Sequence, residues 1–349
     1  MEYRTLGNTG AVVSTLCLGT MTFGAESDEP VACEQLDGFL EEGGNFLDTA
    51  DVYADGESEA VIGRWIAARQ GVRDRVVLAT KARFARDSGP NDVGLSRVGL
   101  TRALEGSLRR LGVETIDLYQ AHAWDPLTPL EETLRFFDDA VRTGKIQYVG
   151  VSNFIGWQLQ KAALMTRHLG LAPVVTLQPQ YNLLQRGVEL ELTQVCVNEH
   201  IGILPWSPLG GGWLTGKYQR DAPPTGATRL GEDPERGMEA YSRRNPEERT
   251  WRVIEAVRSV AEARGVSLAQ VALAWLVDRP AVTSVILGAR TLEQLEDNLG
   301  AAGLHLSAEE TAGLDEASRP IVDDYPYGEL GVGQRDRQLP ASRPARPNP

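Results

Sequence analysis

Short apolar, β-branched runs alternate with amphipathic helical stretches from residue 46 to about residue 300. The strand candidates are Thr15–Leu18, Phe46–Leu47, Val76–Thr80, Ile116–Gln120, Ile146–Val151, Val174–Leu177, Ile201–Pro205 and Ser284–Leu287. Strands that are apolar on both faces and separated by helices pair in parallel, with the helices covering the sheet. Eight such units in roughly 290 residues predict an α/β fold of the closed (β/α)8 TIM-barrel type. The opening Tyr3-Arg4-Thr5-Leu6-Gly7-Asn8-Thr9-Gly10 has strand-turn character and predicts a hairpin ahead of the first barrel strand.

The helical stretches carry their own signals. Leu100, Leu104, Leu108 and Leu111 share one face, as do Leu130, Leu134, Phe137 and Val141, and Leu268, Val271, Ala272, Trp275 and Leu276 form a third stripe. Thr128-Pro129-Leu130-Glu131 places a hydroxyl before a proline at a helix start. Ser267 with Gln270, Thr291 with Gln294 and Ser307 with Glu310 have the spacing of reciprocal capping boxes. Two stretches break the rhythm. Residues 207–249, with Gly210-Gly211-Gly212 and Pro223-Pro224, read as a long loop after strand seven. Residues 318–349, rich in proline and arginine, read as an extended tail behind a single domain of residues 1–317.

Composition narrows the function. A net charge of −13 disfavours nucleic-acid binding, which needs a basic face. It leaves room for a local positive pocket built by a few lysines and arginines. No run of about 18 apolar residues predicts a membrane span, and the N-terminus lacks a signal peptide's basic and apolar regions. Cys17, Cys33 and Cys196 are too scattered for a disulfide framework or a zinc site, and are expected as buried fillers in a reducing cytoplasm. No metal-ligand spacing occurs among the histidines, with His168, His200 and His305 expected in packing or surface positions.

The chemistry is carried by the residues that follow each strand. The apolar runs end in Asp48, Lys81, His122, Ser152-Asn153, Gln178, Trp206-Ser207 and Gly288. In a barrel of this kind the strand C-termini converge on one face, so these residues meet although they are far apart in the chain. Tyr53 lies five residues past Asp48 on the same loop. A phenol with an ordinary pKa of about 10 is a poor acid near neutrality. A nearby ammonium stabilises its phenolate and lowers that pKa, a carboxylate holds the ammonium, and an imidazole orients a carbonyl oxygen. Taken singly, Asp48 and Lys81 would pass for an ordinary ion pair and Tyr53 for packing. Gathered at the strand ends they form an acid–base site.

These residues resemble the aldo-keto reductase family, in the branch similar to potassium-channel β subunits. The run Gly43-Gly44-Asn45-Phe46-Leu47-Asp48-Thr49-Ala50-Asp51-Val52-Tyr53 looks like that family's signature. Further matching blocks are Leu16-Cys17-Leu18-Gly19-Thr20-Met21, Gly150-Val151-Ser152-Asn153-Phe154, Gln178-Pro179-Gln180-Tyr181-Asn182 and Gly288-Ala289-Arg290 leading to Asn298. The similarity covers about residues 3 to 317. It implies a catalytic tetrad of Asp48, Tyr53, Lys81 and His122, and NADPH/NADP+ as cofactor. It further implies that Ser152, Asn153 and Gln178 hold the nicotinamide carboxamide and that Trp206 lies against its face. Ser207, Pro208, Leu209, Gly216 and Lys217 would line the pyrophosphate, and Gly19, Thr20, Met21, Asp48, Gly211, Gly288, Gln294 and Asn298 complete the cofactor contacts.

No Gly-x-Gly-x-x-Gly follows a strand and opens a helix, so the barrel mouth itself has to hold a nucleotide. Arg290, beside a helix start at Thr291, can meet a 2′-phosphate with its charge and with the helix dipole, which predicts NADPH over NADH. Where many relatives have a second basic residue this chain has Gln294, and Asp297 stands for the usual Glu. The predicted substrate walls are Met21, Phe23, Tyr53, Phe84, His122, Trp124 and Phe154, an apolar site for an aldehyde, ketone or keto-sugar. Two other readings fit parts of the pattern. One is a nucleotide-binding, redox-sensing module with little turnover, since Trp206-Ser207-Pro208-Leu209 also looks like the channel β subunits. The other is a barrel hydrolase using Asp48 and a second carboxylate, which Lys81 beside Asp48 suits poorly. The oligomeric state is left open by the sequence.

Overall fold

The computed structural model describes residues 1–85 and 89–335. Strands β1 (Tyr3–Thr5) and β2 (Val12–Ser14) form an antiparallel hairpin. Eight strands then pair in parallel: β3 (Leu16–Gly19), β4 (Phe46–Asp48), β5 (Val77–Ala82), β6 (Ile116–Ala121), β7 (Ile146–Ser152), β8 (Val174–Gln178), β9 (Gly202–Ile203) and β10 (Val285–Leu287). They pair in chain order, and β10 returns to lie beside β3. Ile203 bridges Val282, and the Ile286 amide donates to the Pro205 carbonyl at 3.0 Å, which brings the two ends of the sheet together. The fold is a (β/α)8 TIM barrel with an N-terminal hairpin.

Helices α1 (Glu29–Glu41), α2 (Glu57–Ala67), α3 (Arg97–Leu111), α4 (Leu130–Arg142), α5 (Gly156–Leu169) and α6 (Leu192–Glu199) separate the first seven barrel strands. The leucine stripe of α3 buries Leu100, Leu104 and Leu111, and α4 buries Leu130, Leu134 and Phe137, each against the outer face of the sheet. Thr128 does not cap α4. Its hydroxyl donates to Asp125 at 2.6 Å, and Pro129 takes the cap position with no side-chain bond.

The segment read as a loop over 207–249 is built of short helical pieces, among them α7 (Arg229–Glu232) and α8 (Tyr241–Arg244), before α9 (Glu248–Arg264). It is pinned by Trp213, which is fully buried, stacks on Tyr241 and meets Tyr218 and Trp251 edge-on. Tyr241 and Trp251 lie far from Trp213 in the chain, so the glycine and proline content of the segment concealed these contacts. Then follow α10 (Leu268–Val277), α11 (Leu292–Leu299) and α12 (Ala308–Ala317). Ser267 and Ser307 form reciprocal capping boxes, but Thr291 does not: Gln294 Oε1 accepts from the Arg290 amide instead of from residue 291.

Met1–Ser318 forms one compact unit. Ser318, assigned by the sequence to the tail, belongs to this unit: it is buried, and its hydroxyl accepts from Arg186 at 2.8 Å. The residues from Arg319 form a second unit, in which α13 (Glu329–Gly333) is helical rather than extended. Residues 336–349 of the proposed tail lie outside the described residues.

The barrel interior explains how the site is set. Leu6, Val13, Cys17, Phe46, Ala79, Leu118, Val175, Leu204 and Ile286 pack together inside it, the first two coming from the hairpin that fills the bottom. Side chains on a strand alternate faces with a period of two. Asp48, Lys81 and Gln120 therefore point inward one layer above Phe46, Ala79 and Leu118. Of the three cysteines, Cys17 and Cys196 are buried and Cys33 is only partly so.

Candidate active site

That upper layer holds an ion pair with its hydrogen bonds completed. Lys81 Nζ donates to Asp48 Oδ1 and to the Thr49 carbonyl, each at 2.7 Å, and to the Tyr53 hydroxyl at 3.2 Å. The Lys81 side chain has no solvent exposure, and Asp48 is 2% exposed. The second carboxylate oxygen of Asp48 accepts from Gln178 Nε2 at 2.9 Å and from Gln120 Nε2 at 3.2 Å. A buried charge pair is tolerated when the remaining lone pairs and protons are matched in this way. Gln120 was missed by sequence reasoning, although the two-residue alternation from Leu118 points to it.

Tyr53 opens a one-turn 3-10 segment, Tyr53–Gly56, between β4 and α2. Its ring lies under the Lys81 ammonium, 4.6 Å from Nζ to the ring centroid, and meets His122 edge-on at 5.9 Å. Electrostatics depart from the sequence expectation here. Burial raises the Tyr53 pKa, and the lowering effect of Lys81 does not overcome burial together with Asp48. Burial disfavours the Lys81 ammonium as well, but Asp48 and Tyr53 outweigh it and leave the pKa raised. The arrangement is a neutral phenol beside a permanent cation.

His122 follows β6 at the cavity wall. Burial, with the charges of Lys81 and Arg83, pushes its pKa down to about 2. Its Nδ1 is buried without a hydrogen-bond partner among the described residues. Burial and the neighbouring cations both favour the neutral ring. It also packs edge-on against Phe84 at 4.8 Å.

Above these residues opens a cavity of about 780 Å³. Its walls include Gly19, Thr20, Met21, Asp48, Tyr53, Phe84, His122, Ser152, Asn153, Gln178 and Trp206, then Ser207, Pro208, Leu209, Gly211, Lys217, Gly288, Arg290, Gln294 and Asn298. Asn153 takes a left-handed backbone (φ 55°), a conformation asparagine tolerates better than most residues. Its side chain donates to the His122 carbonyl at 2.9 Å and accepts from the Trp206 indole at 3.1 Å, so it fixes the indole at the rim. Ser152 donates to the Gln178 carbonyl at 2.8 Å.

Three of the expected substrate walls stand elsewhere. Phe23 is fully buried in the outer core, where it serves packing between sheet and helices. Phe154 is also buried, and Trp124 packs on it edge-on at 5.2 Å and on Trp157 at 5.3 Å. None of the three lines the cavity. A loop position after a strand specifies proximity to the mouth, but the rotamer chosen by neighbouring apolar groups decides which way the ring turns.

The far end of the cavity is polar. Lys217, Arg229 and Arg290 line it, on a chain whose net charge is −13. Arg229 went unrecognised in the sequence. Its Nε is buried without a partner among the described residues. Gly211 and Gly212 both have positive φ, and a Cβ at Gly288 would meet nothing within 4 Å, so backbone lies open to the cavity there. The cleft thus carries amide and hydroxyl groups at one end and, at the other, three cations set among the carboxylates of Glu26 and Asp297, side chains able to meet a phosphate-bearing ligand. A second cavity of about 510 Å³, beside the hairpin turn and Tyr148, contains none of the strand-end polar residues. Among the described residues, no cluster of side chains is suited to hold a metal ion, and no single helix is long and apolar enough to cross a membrane.

Comparison with known proteins agrees with this geometry. The model of the "Aldo/keto reductase family" matches residues 15–319. An uncharacterized oxidoreductase of Bacillus subtilis (strain 168), YrpG, is 39% identical over 317 residues, covering 88% of this chain and 93% of the relative. A probable voltage-gated potassium channel subunit beta of Arabidopsis thaliana is 36% identical over 306 residues, covering 86% and 91%. A norsolorinic acid reductase of Aspergillus flavus is 32% identical over 347 residues, covering 94% and 84%. With the barrel, the strand-end tetrad and a family match across most of its length in agreement, the chain belongs to the aldo/keto reductase family.

Proposed function

We propose that the protein reduces an aldehyde, ketone or keto-sugar carbonyl to the alcohol, and catalyses the reverse oxidation, with NADPH/NADP+ as cofactor and Tyr53 as the general acid. The observation that carries this reading is the single contact network of Asp48, Lys81 and Tyr53 on the cavity floor. When bound, NADPH supplies the hydride. The carbonyl oxygen would sit between the Tyr53 hydroxyl and neutral His122, within reach of the phenol's proton.

Because the Tyr53 oxygen accepts from Lys81, its own proton is available to another acceptor. As charge builds on the carbonyl oxygen, Tyr53 donates that proton. The phenolate left behind faces the Lys81 ammonium, whose position is held by Asp48 and the Thr49 carbonyl. The cost of desolvating the phenol, which keeps it protonated at rest, is thus offset by a cation already in place at the moment of transfer. Met21, Val52, Phe84 and Trp206 make the surrounding wall largely apolar, which favours an uncharged carbonyl substrate.

Asp48 is engaged by Lys81, Gln120 and Gln178. This leaves it unsuited to act as a hydrolytic base. A relative named as a channel β subunit keeps a slow, partner-directed role in view. Turnover separates the two: a panel of carbonyl compounds, followed by NADPH absorbance with Tyr53→Phe as the blank, should give at least one substrate with steady catalysis. Nucleotide binding with no turnover on any compound would favour the sensing role. Cofactor choice is tested by catalytic efficiency with NADPH and NADH in the wild type and in Arg290→Ala. Equal use by the wild type removes the NADPH preference.

A further inference from the structure

Arg290, the residue on which that preference rests, is already held. Its Nε donates to Glu26 Oε2 at 2.7 Å, and its two terminal nitrogens donate side by side to Glu232 Oε1 and Oε2, each at 2.8 Å. Glu232 is the last residue of α7, and Glu26 sits on the loop after β3, where it also pairs with Arg236 at 2.5 Å. Three strand-end loops therefore meet on one guanidinium at the cationic end of the cavity.

A carboxylate meeting a guanidinium through two parallel hydrogen bonds uses the same fork that a phosphate would use. Arg290 cannot offer both terminal nitrogens to Glu232 and to a phosphate at once. Glu26 contacts a different nitrogen, so it can stay in place while the fork changes partner. The Glu232 side chain is half exposed, at 50%, whereas that of Arg290 is 16% exposed, so the carboxylate is the member able to move away into solvent.

We propose that Glu232 is a built-in competitor of the cofactor's 2′-phosphate for the fork of Arg290, and so sets how strongly the chain prefers a phosphorylated over an unphosphorylated nucleotide. The inference rests on the reading that this cavity takes a nicotinamide dinucleotide. A phosphate entering the fork displaces Glu232 and with it the end of α7. A nucleotide with a free 2′-hydroxyl leaves the pair intact, and a carboxylate nearby is a partner such a hydroxyl can use. The preference for NADPH is accordingly weaker than a free arginine at position 290 would give.

The test is calorimetric titration of the full chain with two probes, adenosine 2′,5′-bisphosphate and ADP. Glu232→Gln should tighten binding of the bisphosphate by about three- to fivefold, the upper part of the range an exposed charge pair commands, and change ADP binding by less than about twofold. Glu235→Gln removes a charge from the same exposed segment without touching Arg290, since Glu235 accepts from Ser242, and it should not reproduce the gain. An unchanged or weaker bisphosphate affinity in Glu232→Gln overturns the proposal. So does an equal gain for ADP, or the same gain in Glu235→Gln. A wild type that binds neither probe nor NADPH would instead overturn the cofactor reading itself.

Discussion

Lys81 Nζ approaches the Tyr53 hydroxyl to 3.2 Å as a donor, so the phenol oxygen is an acceptor toward the interior and keeps its proton for the cavity. The same ammonium lies 4.6 Å from the centre of the phenol ring. One cation thus acts on both the oxygen and the π-system of a single side chain.

Replacing Tyr53 by phenylalanine removes the proton and little of the wall. Carbonyl reduction should fall by at least about 100-fold, the low end of what a positioned general acid contributes. Nucleotide affinity, read by fluorescence titration, should stay close to that of the wild type. Retained turnover in this variant would reject the acid assignment.

Lys81→Met leaves the Asp48 carboxylate buried with only amide donors for partners. Breaking a buried pair from one side destabilises a fold by about 3–5 kcal/mol. Urea unfolding should show a loss of that size. A loss below about 1 kcal/mol, as for an exposed pair, would mean that water reaches Asp48.

His122 supplies the pH prediction. Its folded-state pKa is pushed down to about 2, while the unfolded value is about 6.5. Between those two values the unfolded chain binds the extra proton, so stability falls as pH drops below about 6.5. The contribution approaches about 1.4 kcal/mol per pH unit. Melting temperature measured from pH 7 to pH 5 should decline less steeply in His122→Asn. Identical slopes would show that the ring does titrate in the folded protein.

Asn153 combines a left-handed backbone with a bond to the Trp206 indole. Both Asn153→Ala and Asn153→Gly lose that bond, but only alanine is strained by the backbone, at a cost of about 1–2 kcal/mol. The alanine variant should therefore be the less stable of the two in denaturant unfolding. Equal stabilities would indicate that the backbone twist relaxes.

The core of the site was legible because it depends on local periodicity. Asp48 and Lys81 come at the ends of short apolar runs, and an alternation of two residues is enough to aim both inward once parallel pairing is granted. Gln120 was available by the same rule. The sign of the Tyr53 shift was not, because it depends on how much of the phenol is buried and on Asp48 acting against Lys81. Phe23 and Phe154 were misassigned to the pocket for a related reason: position on a loop says nothing of which neighbours a ring packs against.

By itself the chain's pattern of apolar runs, helical stripes and caps determined a parallel (β/α)8 barrel and the residues at its strand ends, since both follow from spacings of a few residues. Only the tertiary structure decided that the 207–249 segment folds around Trp213, and that Arg290 is gripped by Glu26 and Glu232. Those contacts join residues 26 to 264 positions apart. At such separations the partner is chosen by packing and charge in space, which no local spacing encodes.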